Sequence, residues 1–177
     1  MSCGGLENSG QIGLKRAMNL AMKKVTVQNY RQDTLYPRVV KATARLLKTA
    51  NEISPVTILI EMGNLDAKAH DAWRRGQVPY LERVFQGNLS KANRILRIIG
   101  FHAHDLNMVP SQHTYRVRGK SHALRFSKTG DPNVEKSYAR HFKWNQSAEK
   151  KRILVEKTLS KPGDSSKLVP PSSSAAG

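Results

Sequence analysis

The chain has 177 residues, room for the core of one domain with ends to spare. Its 30 Lys and Arg against 13 Asp and Glu leave a net charge of +17, and its 38% hydrophobic content is too high for a wholly disordered chain and too low for a membrane protein. No run of about 18 apolar residues occurs, the N-terminus lacks the basic start and unbroken apolar core of a secretory signal, and the single cysteine, Cys3, excludes an internal disulfide and a multi-thiolate zinc site. These features predict a basic, folded, cytoplasmic protein without a membrane segment, whose first candidate partner is the abundant intracellular polyanion, nucleic acid.

The charge is unevenly distributed. Over 55–86, Lys68, Arg74, Arg75 and Arg83 balance Glu61, Asp66, Asp71 and Glu82, whereas over 111–145 eight basic residues face only Asp131 and Glu135. The stretch from Lys161 onward is rich in Pro, Ser and Gly without periodicity and cannot offset the entropy of ordering. The domain reading is a flexible or weakly helical segment over 1–30, one folded domain over 31–145, and a weak helix followed by a disordered tail over 146–177.

Helix signals dominate the first half of that domain. Pro37 opens a helix over 37–51 in which Val39, Val40, Leu46, Leu47 and Ala50 share a face. Ser54 before Pro55 is an N-cap, Ile58, Leu59 and Met62 form a stripe, and Gly63 suits a left-handed C-terminal position. Asp66 starts a third helix that closes at Arg74, Arg75 and Gly76, with charges placed as the helix dipole prefers. Pro79 starts a fourth with Leu81, Val84 and Phe85, and after Gly87 and Asn88 a long fifth runs over 90–106.

Beyond Pro110 the period becomes two. Tyr115 and Val117 alternate with Arg116 and Arg118, Gly119, Lys120 and Ser121 turn the chain, and Leu124 and Phe126 bracket Arg125, which predicts a hairpin with one apolar and one basic face. Asp131 and Pro132 start a helix over 131–144 in which Val134, Tyr138 and Phe142 recur every four residues, and a weak helix follows over 147–159. The fold class is therefore mainly α: a helical bundle with a small C-terminal β-hairpin and a following helix. Its core is expected to include Val40, Leu47, Ile58, Trp73, Leu81, Phe85, Ile95, Leu96 and Ile99.

The punctuation of short helix, glycine turn, helix, then Trp73, Arg74, Arg75, Gly76 and Pro79 resembles the lambda-repressor and Cro group of helix-turn-helix domains over residues 39–85. Two departures are Asn64, where the turn usually has an apolar residue, and Asp66 and Asp71 in the would-be recognition helix. The alternative is a plain bundle in which Trp73 is core and Arg74 and Arg75 cap a helix C-terminus. More widely, residues 73–108 and 124–142 look like a family of uncharacterised bacterial proteins, a resemblance over roughly 37–143 that implies one compact unit and a bacterial setting but no activity, ligand or catalytic residue.

Function must then come from the residues. Strand parity buries Tyr115, Val117, Leu124 and Phe126 and puts Arg116, Arg118 and Arg125 on the other face, where guanidinium forks match phosphates or guanine edges. Lys120 at the tip, Lys128 in the next loop, and Lys68, Arg74 and Arg75 of the third helix complete the candidate nucleic-acid-binding set. Backbone amides over 127–131 could hold a phosphate, although Asp131 favours helix capping instead. His102, His104 and Asp105 invite a metal reading, but residues two apart on a helix point roughly 200° from each other, and His113, His122 and His141 show no second cluster in the sequence, so no metal is expected. Gly119, Lys120 and Ser121 end like a phosphate loop but lack its first glycine, Thr114 standing there. The sequence thus predicts a DNA-binding protein, DNA before RNA, without catalysis or cofactor. The alternatives are a non-catalytic assembly factor meeting an acidic protein and, third, a metal-dependent nuclease built on His102, His104 and Asp105.

Overall fold

The computed structural model describes residues 24–160. Cys3, the first 23 positions of the N-terminal segment and the tail from 161 lie outside the described residues. Six α-helices and a three-stranded antiparallel sheet are present among them, in a mainly helical fold. No helix there is long and apolar enough to cross a membrane.

Helix α1, Tyr36–Thr49, begins with Pro37 in its first turn and buries Val39, Ala42, Thr43, Ala44 and Leu47. Val40 is only partly buried because this stripe is centred one position away from it, on Val39 and Leu47. Strand β1, Glu52–Ile53, follows, then α2, Pro55–Glu61. Ser54 Oγ accepts from Thr57 N–H at 3.2 Å while Thr57 Oγ1 accepts from Ser54 N–H at 3.0 Å, a capping box in which threonine replaces the usual glutamate. Gly63, at φ +70°, ends the helix. Buried Asn64 in the turn donates from its side chain to Gln86 O at 3.0 Å and accepts Gln86 N–H on its own carbonyl at 2.8 Å. Asp66 then caps α3, Ala67–Arg74, accepting from Lys68 and Ala69 N–H.

The segment after Pro79 departs from the expected fourth helix. It forms a single 3-10 turn, Leu81–Val84, because the N–H groups of Leu81 and Glu82 pair with the carbonyls of Arg125 and Phe126 at 3.1 and 2.9 Å. The long helix is as expected: α4, Leu89–Asp105, is capped by Asn88 and buries Ala92, Ile95, Leu96, Ile98, Ile99, His102 and Ala103. Asp33, just before α1, receives both Nε and Nη2 of Arg94 on α4, at 2.8 to 3.1 Å.

Strand β2, Val109–Gln112, follows α4, and α5, Pro132–Ala139, runs directly into β3, Arg140–Lys143. The helix expected over 131–144 therefore stops at Ala139. Phe142, expected on a helical stripe with Val134 and Tyr138, is buried from a strand instead: β3 lies at the centre of the sheet, in the order β1-β3-β2, and satisfies edges on both sides. The hairpin over 115–126 turns back where expected, with Val117 N–H to His122 O and Leu124 N–H to Tyr115 O, yet it amounts to one bridge, Arg116 with Ala123, and not to a ladder.

The core includes Leu47, Ile58, Trp73, Leu81, Ile95, Leu96 and Ile99, contributed by α1, α2, α3, the 3-10 turn and α4, with Phe85 packed against it. Packing also extends past 31–145. Val25 and Tyr30 are buried in the core, and α6, Ala148–Leu159, lies along α1 with Leu154 and Val155 against it. Lys151 of α6 donates to Ala50 O and Asn51 Oδ1 at the C-terminus of α1, where a cation meets the helix dipole.

Candidate functional site

Trp73 joins the two basic regions of the sequence. It is fully buried near the end of α3, and its indole N–H donates to Arg125 O at 2.9 Å while its ring packs against Tyr115 and Phe126. Two further contacts seat the 115–126 hairpin on the C-terminus of α3. Arg118 N–H donates to Arg74 O at 2.8 Å, and Gly76, at φ +76°, leaves room for Val117, whose methyl carbons would lie 3.2 Å from any Cβ placed there.

Docking places basic side chains of both segments around one groove of about 540 Å³, lined by Arg75, Lys120 and Arg125 together with Gly76, Val117 and Leu124. Parity holds at the hairpin: Tyr115 and Leu124 are half-buried, Val117 and Phe126 buried, and Arg116, Arg118 and Arg125 exposed. Arg74 lays its guanidinium 5.3 Å from the centre of the Tyr115 ring. Arg116 donates to Ser121 O at 2.6 Å across the turn, which leaves four of its five N–H groups for other partners. Asp71 is ion-paired with Arg75 at 2.7 Å and with Arg118 at 3.1 Å, so the acid of α3 is neutralised inside this surface. Asp66, the other acid, is engaged as the helix cap.

The remaining candidates differ in role. Arg125 folds back to donate to Ser127 O and Lys128 O, bracing the following loop. Lys128 is exposed beside it, and Lys68 is exposed in the first turn of α3, away from the groove-lining set. The 127–131 loop offers no free amide cradle for phosphate. Ser127 N–H goes to Glu135 at 2.7 Å, Lys128 N–H to Glu82 at 3.0 Å and Gly130 N–H to Ser127 Oγ at 2.9 Å, while Asp131 caps α5 through Asn133 and Val134.

A second cluster lies on the sheet. Glu52 is paired with Lys143, and Ser111 with His141, so that Glu52, Ser111 and His141 share the face opposite to the buried Ile53 and Phe142. Two residues past Ser111, His113 stacks on His141 with ring centres 3.8 Å apart and planes 14° from parallel. Glu52 Oε1 bonds His141 Nδ1 and lies 3.7 Å from His113 Nε2. On its other nitrogen, His141 Nε2 is 2.7 Å from the Tyr115 hydroxyl. The His141 hydrogen bond holds the Glu52 carboxyl below its ordinary range against the opposing effect of desolvation.

Sequence reasoning missed this cluster, whose three members become neighbours only through strand register. The one local signal was that His113 and Tyr115 share parity. On α4, by contrast, His102 is buried while His104 and Asp105 are exposed, the divergence that helical geometry requires, and Asp105 bonds Tyr30 and Arg31. No protein-family model, curated protein or solved structure matches this chain.

Proposed function

We propose that this protein binds nucleic acid, duplex DNA foremost, through the basic surface formed where the 115–126 hairpin docks on the end of α3. The observation that carries the reading is this docking: it gathers Arg74, Arg75, Arg116, Arg118, Lys120 and Arg125 around one region, while Asp71, the carboxylate among them, is bound by Arg75 and Arg118. Six cations against one neutralised acid make a local field that attracts a polyanion. Arginine forks on a short β-turn can lie against phosphates or reach base edges in a groove. The binding is non-catalytic in this reading, and its sequence-independent phosphate contacts supply most of the affinity.

Fluorescence anisotropy with labelled duplexes of unrelated sequence, the matching single strands, and polyglutamate tests it. Binding of duplex at low salt, with weaker single-strand and polyglutamate binding, is the expected result. Preference for the acidic polypeptide with no duplex binding would replace this function with that of an assembly factor for an acidic protein.

A further inference from the structure

We propose that Glu52, His113 and His141 form a binding site for one divalent transition-metal ion of the zinc class. This site is independent of nucleic-acid binding.

Geometry is the first support. One ligand atom from each of the three side chains lies within 4.8 Å of the other two, and the His113 Nε2 to Glu52 Oε1 separation is 3.7 Å. Ligands about 2.0 to 2.2 Å from a tetrahedral zinc stand about 3.3 to 3.6 Å from each other, so the donor spacing is near that of an occupied site, and rotation of the exposed His113 ring out of its stack on His141 would turn both in-plane lone pairs toward one ion. The donors also belong to three separate segments, β1, the residue after β2, and β3, which the sheet holds in fixed register. His113 is tied by its own backbone, its N–H donating to Ala139 O at 3.0 Å.

The chemistry of the donors selects the ion. Two imidazoles and one carboxylate suit zinc and its neighbours cobalt, nickel and copper, whereas magnesium and calcium prefer all-oxygen sites. Glu52 and His113 retain 40% and 44% side-chain exposure, so an ion can enter from solvent.

The outer layer has the form that metal sites use. When His141 Nε2 donates its proton to the Tyr115 oxygen, Nδ1 is left with its lone pair facing Glu52, and the ring is fixed in the tautomer that ligates. Tyr115 is itself positioned by Trp73 and Phe126. Three protein ligands leave a fourth position, and Ser111 Oγ, 3.2 Å from His113 Nε2, borders it.

The alternative is a metal-free chain of hydrogen bonds, Glu52 to His141 to Tyr115, which differs in a measurable way. Full-length protein without an affinity tag, treated with EDTA and dialysed, is titrated with zinc chloride by calorimetry and with cobalt chloride by visible absorption. The proposal expects one ion per chain, cobalt d–d bands of a low-coordinate site, and no response to magnesium. Glu52→Gln and His113→Ala should each weaken zinc binding by more than the roughly 10- to 100-fold expected for the outer-layer change Tyr115→Phe, while His122→Ala leaves it unchanged. Circular dichroism confirms that each variant is folded, and because Glu52 and His113 are exposed, both should be. Absence of zinc binding by the folded parent, or a one-to-one affinity untouched by both Glu52→Gln and His113→Ala, would overturn the site.

Discussion

The Trp73 indole N–H and the Leu81 amide both donate to the carbonyl of Arg125, at 2.9 and 3.1 Å. One carbonyl thus fastens α3, the 3-10 turn and the basic hairpin together, and it lies at the junction from which the candidate interface is built. Trp73→Ala should cost about 3 to 5 kcal/mol, as for other buried aromatic truncations. Trp73→Phe keeps most of the packing and leaves the carbonyl its second donor, so it should cost clearly less. Urea denaturation of both variants measures the difference, and equal losses would show that the indole hydrogen bond is not separable from the ring packing.

Glu135 receives the amides of Phe126 and Ser127 and the Ser127 hydroxyl at 2.6 to 3.0 Å. Hydrogen bonds to a charged acceptor contribute about 1.5 to 3 kcal/mol each at most, and removing the acceptor leaves buried donors unmatched. Glu135→Ala should therefore destabilise the fold by about 3 kcal/mol and speed hydrogen exchange at Ser127 before that at the α4 core. Parent-like exchange at Ser127 would mean that the loop is held by its other contacts, including Glu82.

The structure also predicts an acid-sensitive position. Burial lowers the His102 imidazole pKa to about 4, and its Nδ1 has no hydrogen-bond partner among the described residues. An unfolded histidine titrates near about 6.5, so between these values the unfolded chain takes up a proton that the folded chain does not. Stability contributed by neutral His102 is complete above about pH 7 and falls as pH drops, by about 2 kcal/mol on reaching pH 5. The variant His102→Phe, which keeps a ring edge-on to Tyr36, should lose that part of the pH slope, as read from urea midpoints of parent and variant across pH 5 to 7.

Much of the helical fold was legible because its signals are local. Ser54 and Pro55, Asp66, and Asn88 stand at the starts of α2, α3 and α4, and Trp73, Ile95 and Ile99 recur at helical spacing on buried faces. The sheet was not legible, since β1 has two residues and the others four, too few to display alternation. Tyr138 and Phe142 show why: a spacing of four satisfies a helical stripe and strand parity alike, and pairing with distant β1 and β2 decided for the strand. The same holds for the sites. The exposed faces of Arg116 and Arg118 follow from parity within a few residues, whereas Glu52 meets His141 across 89 positions and only through register.

The most direct measurement of the central claim is the dependence of duplex affinity on salt. Arg116, Arg118 and Lys120 are exposed and can be replaced together by alanine with little expected effect on folding, and Arg125 is left in place because it braces the 127–128 carbonyls. If each contacts one phosphate, the slope of log affinity against log salt should flatten by about 0.9 per lost contact, about 2.7 in all on B-form DNA. A folded triple variant that binds with the parent's affinity and salt slope, or a parent that binds no duplex even at low salt, would contradict the account.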